Sequence, residues 1–340
     1  MMRRALAHPL FWPLATLALL LLANGAFNPG FLALQWREGH LYGTLIDIAN
    51  RAAPLALVSM GMTLVIAVRG LDISVGAVLA IAATVAAWTL ARLESGSSGL
   101  LPLFVAIGAA LATGMLCGLW NGLLVVKAGM QPIVATLVLM VAGRGLAQLI
   151  SDGQILTIYY EPYAFLGKGF LLGLPFSLFV VAVIFIALQL LLNRTSLGLF
   201  VRAIGENPLA SHVAGVRARA ITPFLYLFCG FTAGLAGLLV SSNVASADAN
   251  NAGQLFELDA ILAVALGGSS LTGGRFSLAG SLAGALIIQA LTTTIYSLGV
   301  PPQVTLVVKA VLVIGVLLLQ APRFRREMLG LIRRPAGSQA

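Results

Sequence analysis

An all-α integral membrane fold is what this sequence predicts, and three observations predict it. Hydrophobic residues make up 59% of the 340 residues and charged residues 9%, where soluble domains carry about 25% charged residues. The mean hydropathy is +1.00. Apolar stretches long enough to cross a bilayer recur along the whole chain, separated by short polar links.

These stretches predict about ten transmembrane helices, near residues 9–27, 44–68, 73–93, 101–126, 131–150, 174–192, 221–241, 257–271, 277–298 and 303–320. The first follows MMRR, as a signal peptide would. Its apolar run is long and no small-x-small cleavage site follows, so it reads as an uncleaved span. Arg69 to Asp72 links spans two and three, and Lys127 to Met130 links spans four and five. The eighth span, in ELDAILAVALGGSSLTGG, is too short and glycine-rich for a plain helix. A broken or partly re-entrant segment is expected there, covered by protein or by a water cavity. Gly114, Gly118 and Gly122 recur every fourth residue, as do Gly230 with Gly234 and Gly280 with Gly284. Small residues at this spacing let helix backbones approach closely, within one subunit or, as the alternative, along a dimer seam. The chain reads as a single transmembrane domain over 1–340.

Lysine and arginine set the orientation. An inside N-terminus places fourteen of the twenty on the inside: Arg3, Arg4, Arg69, Lys127, Arg194, Arg202, Arg217, Arg219, Arg275 and the five arginines of the tail 321–340. Arg37, Arg92 and Lys168 fall outside, and Arg51, Arg144 and Lys309 fall within spans. This bias satisfies the positive-inside rule. It also explains the net charge of +9 with no nucleic-acid partner. An even number of spans returns the C-terminus to the inside as well.

The inside loop 193–220 holds an unusually polar stretch, RAIGENPLASHVAGVRARA. Asn207 is suited to cap a helix, Pro208 to open it and Gly215 to stop it, giving about two turns over 208–214. Leu209, Val213 and Val216 share one face, with Ala210 and Ala214 beside them. A helix this short is marginal alone, so a partner surface is expected to hold it. The alternative is a loop resting its arginines on anionic headgroups.

Ionisable residues inside spans are costly and are functional candidates. Arg51, Arg144 and Lys309 share a tier about 10 Å below the outer surface, at 1.5 Å per residue. Asp47, one turn before Arg51, is expected to pair with it, and Asp259 with Lys309. The alternative is snorkelling to the headgroups. Asp72 is expected to cap span three. Trp120, Asn121, Thr136 and Thr292 to Thr294 are candidates for a polar path, against ordinary packing or hydroxyl bonds to the preceding turn. Cys117 and Cys229 lie in apolar runs, and His8, His40 and His212 are far apart, so no disulfide framework or metal site is expected. No Gly-x-x-x-x-Gly-Lys-Ser/Thr phosphate loop, nucleophile elbow or His-Glu-x-x-His occurs in the sequence.

Four motifs in register carry a family resemblance. GMTLVIAVRGLDISVG (61–76), AIGENPLASHVAGV (203–216), ELDAILAVALGGSSLTGG (257–274) and VVKAVLV (307–313) resemble the signatures of ribose-type ATP-binding-cassette (ABC) sugar permeases, and RGLA (144–147) resembles another. SADANNAG (246–253) and GGRFSLAGS (273–281) look most like the galactofuranose-type permease.

The resemblance implies the permease subunit of a bacterial inner-membrane importer for a monosaccharide, a furanose or pentose such as galactofuranose or ribose. Two such subunits, a second permease copy or a homologous permease, would join two cytoplasmic ABC ATPase subunits and a periplasmic sugar-binding protein. ATP and Mg would sit on the partner ATPase, with no cofactor on this chain and no enzyme activity of its own. The loop helix becomes a coupling helix, with Gly205, Glu206, Asn207, Pro208, Leu209, Ala210, Val213 and Gly215 as its ATPase-coupling residues. Ser211 and His212 stand where the family often has small or apolar residues. Asp47, Arg51, Asn121, Arg144, Asp259 and Lys309 become candidates for an outer gate or pathway. The rivals are an ion-gradient-driven sugar transporter with an essential acid near the midplane, a membrane enzyme, and the same permease class with a nucleoside substrate.

Overall fold

A computed structural model describes residues 10–27, 30–37, 39–93, 99–299 and 301–320. The helices are α1 Phe11–Phe27, α2 Thr44–Ala67, α3 Val75–Leu93, α4 Leu101–Val126, α5 Pro132–Ile150, α6 Glu161–Lys168, α7 Phe176–Arg194, α8 Leu197–Glu206, α9 Pro208–Val213, α10 Ala218–Val244, α11 Phe256–Leu266, α12 Leu278–Ser297 and α13 Pro302–Gln320. Six short strands form three antiparallel pairs: β1 Gln35–Arg37 with β2 His40–Tyr42, β3 Leu156–Thr157 with β6 Ser246–Ala247, and β4 Phe170–Leu171 with β5 Leu174–Pro175.

Each predicted span coincides with a helix. Seven of these, α2, α3, α4, α5, α7, α10 and α12, are long and apolar enough to cross a membrane. The chain is a multi-pass membrane protein. The eighth predicted span is a half-length helix. The eleven residues of α11 reach about 16 Å, roughly half the hydrocarbon thickness. Gly268, at φ +77°, turns the chain away after it. Residue 9, Arg3, Arg4 and the tail 321–340, on which the placement of both termini rests, lie outside the described residues.

The links sort into two ends. At one end Arg69 of the α2–α3 elbow meets the end of α8, Gly274 meets Ala67, and Gln131 joins Arg69 around one cleft. This basic end holds Arg69, Lys127, Arg194, Arg202, Arg217, Arg219 and Arg275. The hairpin end carries the three strand pairs and α6, with Arg37, Arg92 and Lys168. The described cations are therefore biased to one end.

Burial separates centre from rim. In its most apolar window α2 is 83% buried and α3 78%, against 22% for both α4 and α7. Hydropathy runs the other way: in that window α2 is the least apolar of the seven long helices (mean hydropathy 1.3) and the rim helix α7 the most apolar (2.5), as expected where the surrounding solvent is lipid. α10 and α12 flank α2, while α4, α5 and α7 keep apolar faces outward for lipid. Thr63 and Ser281 join α2 to α12 through a buried hydroxyl bond of 2.6 Å.

The glycine series packs within the subunit. A Cβ on Gly230 of α10 would collide with the Gly114 carbonyl and approach Gly118 Cα to 2.9 Å. One on Gly118 would strike the Tyr226 carbonyl, and one on Gly122 would come 2.6 Å from Pro223 Cα. Gly280 and Gly284 seat α12 on Gly267 and Ala263 of α11 in the same way. Gly230→Leu is expected to cost about 1–3 kcal/mol or more through overpacking and to lose the monodisperse peak on size exclusion in detergent. Gly108→Leu, on α4 where a Cβ meets nothing within 4 Å, is expected to leave that peak intact.

Candidate functional site

The polar segment at the basic end folds as two helices broken at Asn207. Asn207 is extended (φ −151°, ψ 100°), and its side-chain oxygen accepts from the Ala210 N–H at 3.0 Å. Pro208 follows at the first helical position, and Gly215 ends the turn at φ +82°. α9 is one residue shorter than the sequence predicts. Leu209 and Val213 stand bare on it, 73% and 82% exposed. Val216, expected on the same face, instead packs half-buried against the core. Ser211 faces inward, its hydroxyl donating to the Pro208 carbonyl at 2.8 Å, and His212 faces out.

Arg69 holds this segment to the bundle. Its Nε donates to the Gly205 carbonyl at 2.7 Å and its Nη2 to the Glu206 carbonyl at 2.8 Å. These are last-turn carbonyls of α8, which a cation suits. The Gly274 N–H donates to the Ala67 carbonyl at 2.9 Å, and Gly274, at φ +83°, lies against the Glu206 carboxylate. Gly205 is buried at this junction, so close to Ala67 and Gly274 that no Cβ would fit. It therefore faces the membrane helices, at the root of the segment rather than on its outer face. Glu206, Asn207, Pro208, Leu209, Ala210, Val213 and Gly215 are exposed.

At the hairpin end the expected cation tier divides. Lys309 of α13 and Asp259 of α11 form an ion pair at 2.5 Å. Arg144 Nη1 donates to the carbonyls of Ala249 (3.2 Å) and Ala252 (2.6 Å), pinning the loop 245–255 to α5. In that loop Asp248 accepts from the Asn251 side chain and from the N–H groups of Asn250 and Asn251. The Asn251 side chain foremost, then the two N–H groups and the Arg144 charge, hold its carboxyl below the usual range. No ion pair joins Asp47 to Arg51 among the described residues, which corrects that expectation. Arg51 instead lines a recess between α2 and α10.

The polar-path candidates are structural. Asn121 is fully buried and donates to Ser74 Oγ at 2.8 Å and to Asp72 Oδ1 at 3.3 Å. Asp72 also accepts from the Ser74 N–H and hydroxyl just before α3, as a cap would. Thr136 bonds the Pro132 carbonyl and the Ile73 N–H. Thr292 and Thr294 donate to the carbonyls of Ile288 and Ala290 four residues back, and Trp120 is exposed on the rim helix α4. Sequence reading overlooked Arg69 as a clamp, and Glu257, which is buried against Gly76 of α3.

The fold and site together define a multi-pass membrane protein with a capped, exposed helix gripped at its basic end. Residues 44–317 match the family described as branched-chain amino acid transport system / permease component, and the chain belongs to that family. Its curated relatives include the galactofuranose transporter permease protein YtfT of Escherichia coli (strain K12), 49% identical over 319 residues, or 92% of this chain and 91% of that protein. The fructose import permease protein FruF of Bifidobacterium longum (strain NCC 2705) is 37% identical over 98% of this chain and 94% of its own. The ribose import permease protein RbsC of Escherichia coli (strain K12) is 33% identical over 88% and 90%. No solved structure matches the chain.

Removing one partner of the Asp259–Lys309 bond is expected to cost about 1.5–3 kcal/mol, the range for a hydrogen bond to a charged group. Asp259→Lys should lower the melting temperature of the detergent-purified chain. Adding Lys309→Asp should restore part of the loss, and the absence of any recovery would show that the pair is not coupled.

Proposed function

We propose that the chain is the membrane-spanning permease subunit of an ABC importer, passing a monosaccharide across the bacterial inner membrane. Relatives named for galactofuranose, fructose and ribose support a sugar, and the 49% identity to the galactofuranose permease favours a furanose. The cation bias supports a cytoplasmic basic end. With α1, α13 and the half-length α11 added to the seven long helices, the chain makes ten membrane segments with both termini inside.

The observation that carries this reading is α9. A capped two-turn helix presents Leu209 and Val213 to solvent while its root is fixed to α2, α8 and the loop after α11. Burying each of those side chains is worth about 1.5–3 kcal/mol, which suits a groove on a cytoplasmic ATPase. That subunit would hold ATP and Mg, and this chain would act as a transport subunit with no cofactor or catalysis of its own. A periplasmic sugar-binding protein would dock at the hairpin end, and a second permease copy or a homologous permease would complete the pore. Asp259 with Lys309, together with Arg144, would brace the outer gate.

The test is to purify the tagged chain from its host in mild detergent and identify its companions by mass spectrometry. An ABC ATPase is expected with the unaltered chain and lost from the Leu209→Asp, Val213→Asp double variant, at unchanged elution of the permease itself. No ATPase with either chain would defeat the reading. Arg69→Ala is expected to retain the ATPase while hydrolysis loses its response to sugar-loaded binding protein, with Arg69→Lys intermediate because it keeps the charge and loses the fork.

A further inference from the structure

The hairpin end holds a recess of about 220 Å³ between α2, α6, α7, α10, α11 and α12. Asn50, Arg51, Ser177, Asn243, Phe256 and Gln289 are among its lining residues. Arg51 lies seven residues into α2 and Gln289 eight before the end of α12, each about 10–12 Å from the helix end at 1.5 Å per residue. Polar side chains at such depth are costly against lipid and belong to a watered cavity or a protein contact. Here they converge from α2, α7, α10 and α12 on one space.

Their bonding leaves a matched set of unused groups. The Asn50 oxygen accepts from the Ser177 hydroxyl, which leaves its NH2 to donate. The Asn243 NH2 donates to the Gly167 carbonyl at 3.1 Å, which leaves its oxygen to accept. Arg51 and Gln289 make no side-chain hydrogen bond or ion pair among the described residues. Phe256 adds an aromatic wall. A planar guanidinium, amide donors and acceptors and one ring suit a small neutral polyol, whose hydroxyls both donate and accept. One cation beside four uncharged polar side chains is a poor match for a strongly anionic ligand.

We infer that this recess is a sugar-contact station in the outer third of the translocation path, with Arg51 and Gln289 taking hydroxyls directly. The inference rests on the importer reading above. It assigns contact with the solute to α2, α10 and α12 rather than to the buried Asn121 and Thr136.

The experiment uses the whole importer, permease with its ATPase and binding protein, in proteoliposomes. Radiolabelled D-ribose, D-fructose and D-galactose are the probes. Arg51→Gln and Gln289→Ala are each expected to lower uptake of the transported sugar about tenfold, the loss of one good hydrogen bond, while copurifying with the ATPase in unaltered amount. In parallel, Gln289→Cys is expected to react from outside with a membrane-impermeant thiol reagent, and the reaction to stop uptake. The unaltered chain, with Cys117 and Cys229, is the control. Undiminished uptake by both variants, or an unreactive Gln289→Cys in a transporting complex, overturns the recess alone. Uptake of none of the three sugars by the unaltered importer overturns the functional reading and this inference with it.

Discussion

Helices in a bilayer gain little by hiding apolar surface from one another, because lipid is as apolar as leucine. What holds them is close approach and the few polar bonds it permits. In this chain one such close approach is where α10 meets α4, with Gly230 set against Gly114 and Gly118. The other contacts are arranged around it. α2 lies against α10 through Gly61, on Thr232 and Cys229, and against α12 through the Thr63–Ser281 bond. α3 lies against α10 at Gly237, with the Leu79 carbonyl 2.5 Å from where a Cβ would sit. Backbones this close leave no room for a larger residue, so the bundle holds its two ends in fixed relation.

That rigidity gives meaning to the junction at the basic end. Three segments distant in sequence, the α2–α3 elbow, the end of α8 and the loop after α11, share the Gly205 and Glu206 carbonyls, the Ala67 carbonyl and the Glu206 carboxylate. Arg69 reaches them from a left-handed backbone position, at φ +64°. Such a position is strained for a non-glycine residue, and the surrounding bonds hold it there. α9 is therefore tied at once to α2 and to the loop after α11, across a single capping residue, Asn207.

Much of this was legible in the sequence, and the part that was not has a common cause. Helix positions followed from apolar length. The shortness of α11 followed from its glycines, the α9 cap from Asn-Pro, and the Asp259–Lys309 contact from matching depth in neighbouring segments. Asn121 and Thr136 stayed open between a polar path and packing because a polar residue in a span looks the same whether it faces water or a buried cap. Only their contact with Asp72, Ser74 and Ile73, in the α2–α3 link, decides between the two. Asp47 and Arg51 have ideal spacing for a pair, but spacing along one helix does not reveal what Arg51 meets across the bundle. Arg69 and the recess depend on several separate segments, and no local pattern records such a meeting.

Two helices run from the recess to the junction, and they differ in how they are held. α2 carries Asn50 and Arg51 near one end and Ala67 at the other, but it is buried on nearly every side by interlocked side chains. α11 carries Phe256 at the recess and leads through Gly267 to Gly274 at the junction. It rests on α12 backbone to backbone, Gly267 on Gly280 and Ala263 on Gly284, and on α3 through Glu257 over Gly76. Its bond to α13 is the Asp259–Lys309 pair. A half-length helix has fewer contacts to break than a full-length one. α11 thus joins the recess to the junction that holds α9, beside the deeply buried α2.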